Sequence, residues 1–449
     1  MTAAVGASPG LSGRGVLLAG LSGVAGFVVG YASGALKAAE PYLAKSFVLI
    51  GAQGTLADAI PLAAAILSPV LAGGLASRFA QMGRLHLAAS AGALAAAGVA
   101  VLVTAHGFAA ILIGRALVGL GSGAVVTVAL IELADRMTPA ARGRGLALLP
   151  VMIAAGFAAA GAVGDHTIGI VEHAAGSLNA PALALVEDRA WRIIAFSAFY
   201  PAVAFALAAG VVAHSGAALG GPGPAGPGRG LSSFARPFGL ACGVAILVQI
   251  GGFGALPEVA AAVITRAGFG PGRAAHRADA LTSVLALSCV AGLVLADAIP
   301  RRLHLRLGCG GAAMALAAAA TLFFGMESGL LPAGAASGNA VDCCLMAFLV
   351  CAAAGPYVCS WVLLGELLPR RMRAAGIGLG LAAGILTRLA APALYLAAVK
   401  RFGDAGTLGI CAIAALVCYG AASRLLPETR GLSAEEVEAA FPRAGIEEN

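Results

Sequence analysis

Residues 247–269 read LVQIGGFGALPEVAAAVITRAGF, an apolar run interrupted by Gly251, Gly252, Gly254 and Pro257. A run of this length can span a bilayer, and the glycines and proline allow such a helix to bend. The run also contains an amide, Gln249, and a carboxylate, Glu258, and such groups are costly in a bilayer unless they face a wet cavity. The stretch therefore predicts a membrane helix that lines a path for a polar solute. The alternative is a packing helix with a glutamate near its water-facing end.

The composition of the whole chain is that of a membrane protein. Its 449 residues are 60% hydrophobic and 11% charged, whereas about a quarter of the residues of soluble domains are charged. The net charge of +7 resides in short loops between apolar runs, as membrane topology places it, so we do not interpret it as a nucleic-acid-binding surface. The nine cysteines lack metal-ligand spacing, and no nucleophile elbow or HExxH motif occurs. The sequence predicts an integral membrane protein that is not an enzyme and needs no cofactor or metal.

The apolar runs are arranged in two sets. About twelve runs are long enough to be spans, with six on each side of the Gly/Pro-rich sequence GGPGPAGPGRG at 220–230. This pattern predicts an all-α protein of two six-helix bundles, 1–213 and 238–426, with a linker at 214–237 and a tail at 427–449. Most arginines lie on one side if both termini are cytoplasmic, and the positive-inside rule favours that orientation. We expect the plasma membrane as the location.

The loops on the predicted cytoplasmic side share a charge pattern. ELADRMTPAARGRG and GELLPRRMRAAG follow the fourth and tenth runs and place an acid and an arginine seven residues apart, while LADAIPRRL follows the eighth run. Carboxylate–guanidinium pairs at helix ends can hold one face of two bundles shut and break when that face opens. The alternative is topology-determined arginines with incidental acids. We predict a cytoplasmic gate formed by Asp135, Arg142, Asp297, Arg301, Glu366 and Arg373.

Several segments resemble the sugar porter family of the major facilitator superfamily. They are GRALVGLGSG at 114–123, CSWVLLGELLPRRMR at 359–373, the opening stretch, and LLPETRGLSAEEVE at 425–438, the most specific of the four. The resemblance implies the major facilitator fold with about twelve helices. It also implies alternating-access transport of a small polar solute, a sugar or polyol, by facilitated diffusion or proton symport. The implied partners are the solute, the lipid bilayer and, for symport, protons.

The solute site of that family is only partly retained here. By resemblance, Gln249 and Trp361 contact the solute and Gly252 admits it close to the backbone. Four further contact positions of the family carry other residues, namely Pro150, Val248, Gly254 and Gly384. Each buried hydroxyl left unpaired costs about 1–3 kcal/mol. Two alternatives therefore stay open: transport of a less hydroxylated solute such as an organic acid or cation, and a non-transporting sensor or scaffold.

Charged residues within the runs bear on ion coupling. Proton-coupled family members have an aspartate in helix 1 that pairs with the helix-4 arginine. Here Ala32 occupies its position, so Arg115 lacks that family partner. Glu258 lies where the family has a tyrosine, and Arg388 lies within the eleventh run. We predict that Glu258, Arg115 and Arg388 are coupling or charge partners, the alternative for Glu258 being a helix-end carboxylate in water.

The stretch between the fifth and sixth runs, 164–189, is long for this family. Its charged and imidazole side chains, which could bind a metal or a partner, include His166, Glu172, His173, Glu187 and Asp188. Because their spacing fits no metal-site pattern, we interpret the stretch as a solvated loop.

Overall fold

The computed structural model describes residues 13–49, 52–79, 81–215 and 232–441, and within these ranges every regular element is a helix. The all-α prediction is therefore confirmed. Ten of the described helices are long and apolar enough to cross a membrane. The longest, Arg373–Arg424, turns at Gly403, whose φ of 69° divides it into two spans, and Ala280–Ala296 forms a shorter apolar span. The total of twelve agrees with the sequence. The predicted linker sequence at 220–230 lies outside the described residues.

The first bundle contains seven helices because its sixth span is divided at Ala198. Pro139 begins α5, at a position where its missing N–H has no helical partner to lose. The Asn179 side chain caps α6 by accepting a hydrogen bond from the Ala182 N–H at 3.1 Å. The helices are α1 Gly13–Ser46, α2 Ala52–Arg78, α3 Gln81–Val103, α4 Phe108–Arg136, α5 Pro139–Ala175, α6 Ala180–Ser197 and α7 Phe199–His214.

The second bundle has helices of more varied length, since two of its spans are interrupted. Its first helix begins at Ser232, inside the range 214–237 that the sequence assigned to the linker. The helices are α8 Ser232–Val248, α9 Leu256–Arg266, α10 Pro271–Ala296, α11 Arg301–Glu327, α12 Ala335–Ala352, α13 Val358–Glu366 and α14 Arg373–Arg424. A short tail helix, α15 Ala434–Ala439, follows a capping box made by Ser433 and Glu436.

The ends of the spans define two faces of the molecule. We call the end formed by the loops after α2, α4, α10 and α13 the network face. The opposite end, formed by the loops after α1, α3, α5, α9 and α11, is the distal face. The spans alternate in direction, so each loop falls on one of these faces.

Glycines bring the two bundles together on the side of the network face. A methyl group at Gly378 of α14 would overlap the Pro69 carbonyl oxygen of α2, and one at Gly73 would lie 2.5 Å from the Ala374 carbonyl oxygen. A side chain at Gly143 of α5 would likewise collide with Arg301 of α11. Small residues at such crossings allow helix backbones to approach closely in lipid. The bundles are therefore in direct backbone contact near this face.

The stretch 164–189 is helical except at 176–179, so its interpretation as a loop was wrong, although many of its side chains are exposed. The 37 residues of α5 extend about 55 Å, well beyond a hydrocarbon core of about 30 Å. The α6 part of the stretch is tied to α1, because Lys45 Nζ lies 2.8 Å from Glu187 Oε1, and Asp188 accepts a hydrogen bond from the buried Trp191. No group of three or more His, Cys, Asp or Glu side chains within the described residues could hold a metal ion.

Candidate functional site

Two spans of the second bundle are interrupted by π turns. Gln249–Phe253 separates α8 from α9, and Ala353–Tyr357 separates α12 from α13. Gly252 in the first turn has a φ of 101°, a conformation that favours glycine, and the second turn contains Pro356, which has no N–H to donate. Single π turns within helices are frequent at functional sites. The turns expose backbone polar groups inside the bundle, which a membrane protein tolerates where they are buried in protein or line a cavity.

Gln249 has an unsatisfied amide oxygen in the first π turn. The residue is 8% exposed, and its Oε1 has no hydrogen-bond partner among the described residues. A Cβ built on Gly254 would lie 3.0 Å from this oxygen, so the amide faces the backbone of Gly254. At Gly384 a Cβ would meet a single neighbour, Ala245, at 4.0 Å. An unpaired buried acceptor is costly, so this oxygen can accept a hydrogen bond from a hydroxyl group that enters the site.

An aromatic ladder connects the two π turns. Tyr357 stacks on Phe253 with ring centroids 4.2 Å apart, and Trp361 meets Tyr357 edge-on at 6.4 Å. Trp361 is half-buried, so part of its ring is open to a ligand. A side chain at Gly252 would instead meet Leu256 and Phe348 of the same bundle. The described geometry thus assigns Gly252 to the turn itself and to packing, while Trp361 has an accessible face.

Three charged side chains meet in the distal half, and we call them the distal triad: Lys37, Glu258 and Arg388. Lys37 Nζ of α1 lies 2.5 Å from Glu258 Oε2 of α9, and Arg388 Nη2 of α14 lies 3.8 Å from Glu258 Oε1. Their side chains are 57%, 34% and 41% exposed, respectively. The Lys37–Glu258 pair joins the two bundles. The sequence had singled out Glu258 and Arg388, whereas Lys37 was missed because it lies 221 positions from its partner.

Arg115 finds a substitute for the partner missing at Ala32. Its Nη2 lies 3.5 Å from Glu40 Oε1, eight residues further along α1, and its Nη1 donates to the Ala57 carbonyl oxygen at 2.8 Å. The guanidinium is 4% exposed, whereas Glu40 is 45% exposed. Sequence reasoning missed Glu40, because it lies four residues beyond the predicted end of the first run at Leu36, whereas α1 continues to Ser46.

The first cluster at the network face is built around Arg373. This side chain is fully buried, and its Nη1 donates to Asp135 Oδ1 at 2.9 Å and to the Ala134 carbonyl oxygen at 3.1 Å. Asp135 also accepts from Arg84 Nη1 of α3 at 2.7 Å. The Arg373–Asp135 pair joins α14 to α4 and therefore connects the bundles.

A second cluster is built around Arg301. Its Nη2 lies 2.9 Å from both Asp297 Oδ1 and Glu366 Oε1, and the Arg301 side chain is 1% exposed. Asp297 Oδ2 accepts a hydrogen bond from the Arg144 backbone N–H of α5 at 2.9 Å. Arg301 thus fixes Asp297 at the point where the second bundle touches the first.

Two residues of the C-terminal tail, Glu428 and Thr429, form hydrogen bonds to this cluster. The Thr429 hydroxyl donates to Glu366 Oε2 at 2.6 Å, and Glu428 Oε1 accepts from the Arg301 backbone N–H at 2.9 Å. In α15, a hydrogen bond from its own backbone N–H and the nearby Arg370 lower the pKa of Glu435, so this carboxylate stays charged near the basic loop. The family-like tail motif therefore packs against the gate residues.

Arg142 does not pair as the motif spacing suggested. It is 3% exposed, it makes a long contact of 3.5 Å to the Met137 carbonyl oxygen, and it forms no ion pair among the described residues. Its expected partner Asp135 is taken by Arg373 and Arg84. The structure thus brings five of the six predicted gate residues into ion pairs. It adds members that were not predicted, namely Arg84, Glu132, Arg144, Glu428 and Thr429.

Comparison with known sequences supports the family resemblance. Residues 230–441 match the family model described as Sugar (and other) transporter. The probable metabolite transport protein CsbC of Bacillus subtilis is 26% identical over 208 residues, which cover 45% of this chain and 43% of the relative. Probable polyol transporter 6 of Arabidopsis thaliana is 34% identical over 86 residues, which cover 19% of this chain and 17% of that protein. The matched segments thus span less than half of each curated relative.

Comparison with solved structures covers nearly the whole chain. The proton:xylose symporter XylE bound to 6-bromo-6-deoxy-D-glucose matches 95% of this chain and 99% of its own, with a TM-score of 0.73 at 16% identity. The inward open conformation of XylE from E. coli matches 94% of this chain and 99% of its own, with a TM-score of 0.62 at 18% identity. The protein has the major facilitator fold, and it superposes better on the sugar-bound form than on the inward open one. The family match thus covers residues 230–441, just under half of the chain, and the fold similarity covers nearly all of it.

Proposed function

We propose that this protein carries a small polar solute, a sugar or polyol, across a membrane by alternating access. The observation that supports this most is the pair of interrupted spans, which hold an unsatisfied amide oxygen and an accessible aromatic ring inside the second bundle. A membrane protein retains such features where a polar solute passes. The names of the matched relatives, a polyol transporter and a proton:xylose symporter among them, agree with this substrate class.

In this proposal Gln249 and Trp361 contact the solute. Gln249 Oε1 accepts a hydrogen bond from a hydroxyl group, and the Trp361 ring packs against a carbon face of the solute. Gly252 contributes through the backbone shape of the π turn. Facilitated diffusion and proton symport both fit the site. The acidic group of the proton-coupled family members is absent because position 32 is Ala32, but Glu40 and Glu258 are other carboxylates that could bind a proton.

The gate of the transporter is the network face. Two connections between the bundles, Arg373–Asp135 and the Asp297 contact to the Arg144 backbone, must break before this face can open. Buried charges that lose their partners are costly, but water that enters an opened face can hydrate them again. The clusters therefore favour the closed state without locking the protein in it.

We also propose the orientation and the location. The network face carries most of the arginines, so the positive-inside rule places it, and both termini, in the cytoplasm. The weaker superposition on the inward open form of XylE agrees with a closed cytoplasmic face. We propose in addition that the membrane is the plasma membrane and that the protein has no catalytic activity.

The test is uptake of labelled hexoses and inositol by the purified protein in liposomes, with and without an inward proton gradient. We expect saturable uptake that Gln249→Ala weakens about five- to 150-fold in kcat/KM, since one buried hydrogen bond is lost. Gln53→Ala, at an exposed position at the start of α2, is the matched control and should have no effect. The gradient dependence separates symport from facilitated diffusion. Absence of uptake of every tested sugar by correctly inserted protein would refute the proposal.

A further inference from the structure

Arg388 is a charged residue in the middle of a membrane span. It lies about 22 Å along α14 from Arg373, near the centre of a bilayer-sized helix. It occupies the same helix face as the buried Leu381, Ala391 and Tyr395, opposite the exposed Leu386. An arginine at this depth is costly unless it faces a cavity and meets an anion. Its position therefore points to an anionic group inside the protein or in the solute.

The anion within the protein does not satisfy Arg388. Glu258 is its ion-pair partner among the described residues, at 3.8 Å, which is too long for a hydrogen bond. The same carboxylate lies 2.5 Å from Lys37, which holds it more closely. The distal triad thus contains two cations and one carboxylate. Arg388 is 41% exposed, and within the part of the chain that the structure describes its guanidinium donors remain available to a further acceptor.

We propose that the transported solute is an acidic monosaccharide, a uronic acid, whose carboxylate binds Arg388. This inference rests on the proposed transport function and specifies its substrate class. Guanidinium and carboxylate form planar bidentate pairs, so Arg388 can take the solute carboxylate in the direction that Glu258 leaves open. Trp361 and Gln249 then hold the sugar ring as in the proposed function. The loss of the amides that recognise neutral hexoses is offset by a charge-assisted contact.

Glu258 acts as a competitor of the solute carboxylate in this site. Its oxygens lie near both cations of the distal triad. A solute carboxylate that binds Arg388 must therefore overcome repulsion from Glu258 or displace Glu258 from Arg388. Removal of the Glu258 charge should therefore strengthen binding of an acidic sugar, whereas removal of the Arg388 charge should weaken it. These opposite effects separate a solute-binding role from a purely structural one.

The experiment compares two matched pairs of sugars in liposomes that contain the purified protein. D-glucuronate and D-glucose differ only at C6, as do D-galacturonate and D-galactose. We expect uptake of the acidic member of a pair with a kcat/KM about tenfold or more above that of the neutral one. Arg388→Gln should bring this ratio close to one, and Glu258→Gln should raise it. Lys45→Gln, which removes a distal cation paired within the first bundle, should leave it unchanged.

The outcomes distinguish this inference from the function on which it rests. Uptake of glucose, galactose or inositol without uptake of either uronate would overturn the acidic-sugar proposal and leave sugar transport standing. A preference for uronates that Arg388→Gln does not reduce would also overturn it, because another residue would then bind the carboxylate. If Arg388→Gln fails to fold, Glu258→Gln still decides, since an unchanged or lower ratio contradicts the proposal. Absence of uptake of all four sugars and of inositol would refute the transport of sugars and polyols itself.

Discussion

The network face and the distal face hold the two bundles together in different ways. At the network face, Arg373 and Arg301 are almost completely buried and each makes several hydrogen bonds to carboxylates or carbonyl oxygens. At the distal face, the Lys37–Glu258 pair joins the bundles with side chains that are 57% and 34% exposed. Exposed pairs contribute about 0–1 kcal/mol, whereas breaking a buried pair costs about 3–5 kcal/mol.

This difference shows which end of the molecule is stable in the described state. Helix backbones touch at Gly73 and Gly378 near the network face, and Arg373 of the first ion cluster lies five residues from Gly378 on α14. On the distal side, the ion pair that joins the bundles within the described residues is the partly exposed Lys37–Glu258 pair. We therefore expect the distal side to open more readily than the network side, and three predictions test this contrast.

The largest effect is expected at Arg373. Arg373→Ala should lower the free energy of unfolding by about 3 kcal/mol, near the lower end for a broken buried pair because Asp135 keeps Arg84. Denaturant or thermal unfolding in detergent micelles measures this change. Arg371→Ala removes an arginine of the same loop from an exposed position and should be nearly neutral. Equal losses in the two variants would mean that the buried cluster does not stabilise the network face.

A smaller effect is expected from the glycine contact between α2 and α14. Gly378→Ala places a methyl group against the Pro69 carbonyl oxygen and should destabilise the closed network face by about 1–3 kcal/mol, as overpacking does. Hydrogen–deuterium exchange in residues 69–78 and 373–380 should then increase. Gly74→Ala, which would meet no atom within 4 Å, is the control and should leave exchange unchanged. Unchanged exchange in both variants would show that this contact is not tight.

The smallest effect is expected at the distal pair. Lys37→Gln should change the balance between closed and open distal states by up to about fivefold, the equivalent of 1 kcal/mol or less. The change should appear as faster hydrogen exchange in α9. Lys45→Gln breaks a pair of the same chemistry within the first bundle and should affect α6 instead. Faster exchange in α9 with both variants would argue against a specific connection through Lys37.

Local patterns were sufficient for much of the architecture. Span length and hydrophobicity determine the twelve crossings, and glycine with proline in residues 251–257 indicates the interruption of a span. The second π turn has a similar signal in Gly355 and Pro356. The sequence predicted a loop at 164–189 because the hydrophobic run ends there. The end of a hydrophobic run indicates where a helix leaves the membrane, but the helix itself can continue into water.

The sequence by itself determined which residues are charged inside the membrane and on which face the arginines collect. Tertiary structure decided their partners. Helix packing brings together residues that are far apart in the sequence, and the spacing of residues along the chain does not indicate which of them will meet. Asp135 pairs with Arg373, 238 positions away, and not with Arg142, which stands seven residues from it. Helix packing likewise pairs Arg115 with Glu40 and places Glu258 between Lys37 and Arg388. An ion pair forms where two helices place opposite charges within a few ångströms, and that condition belongs to the folded molecule.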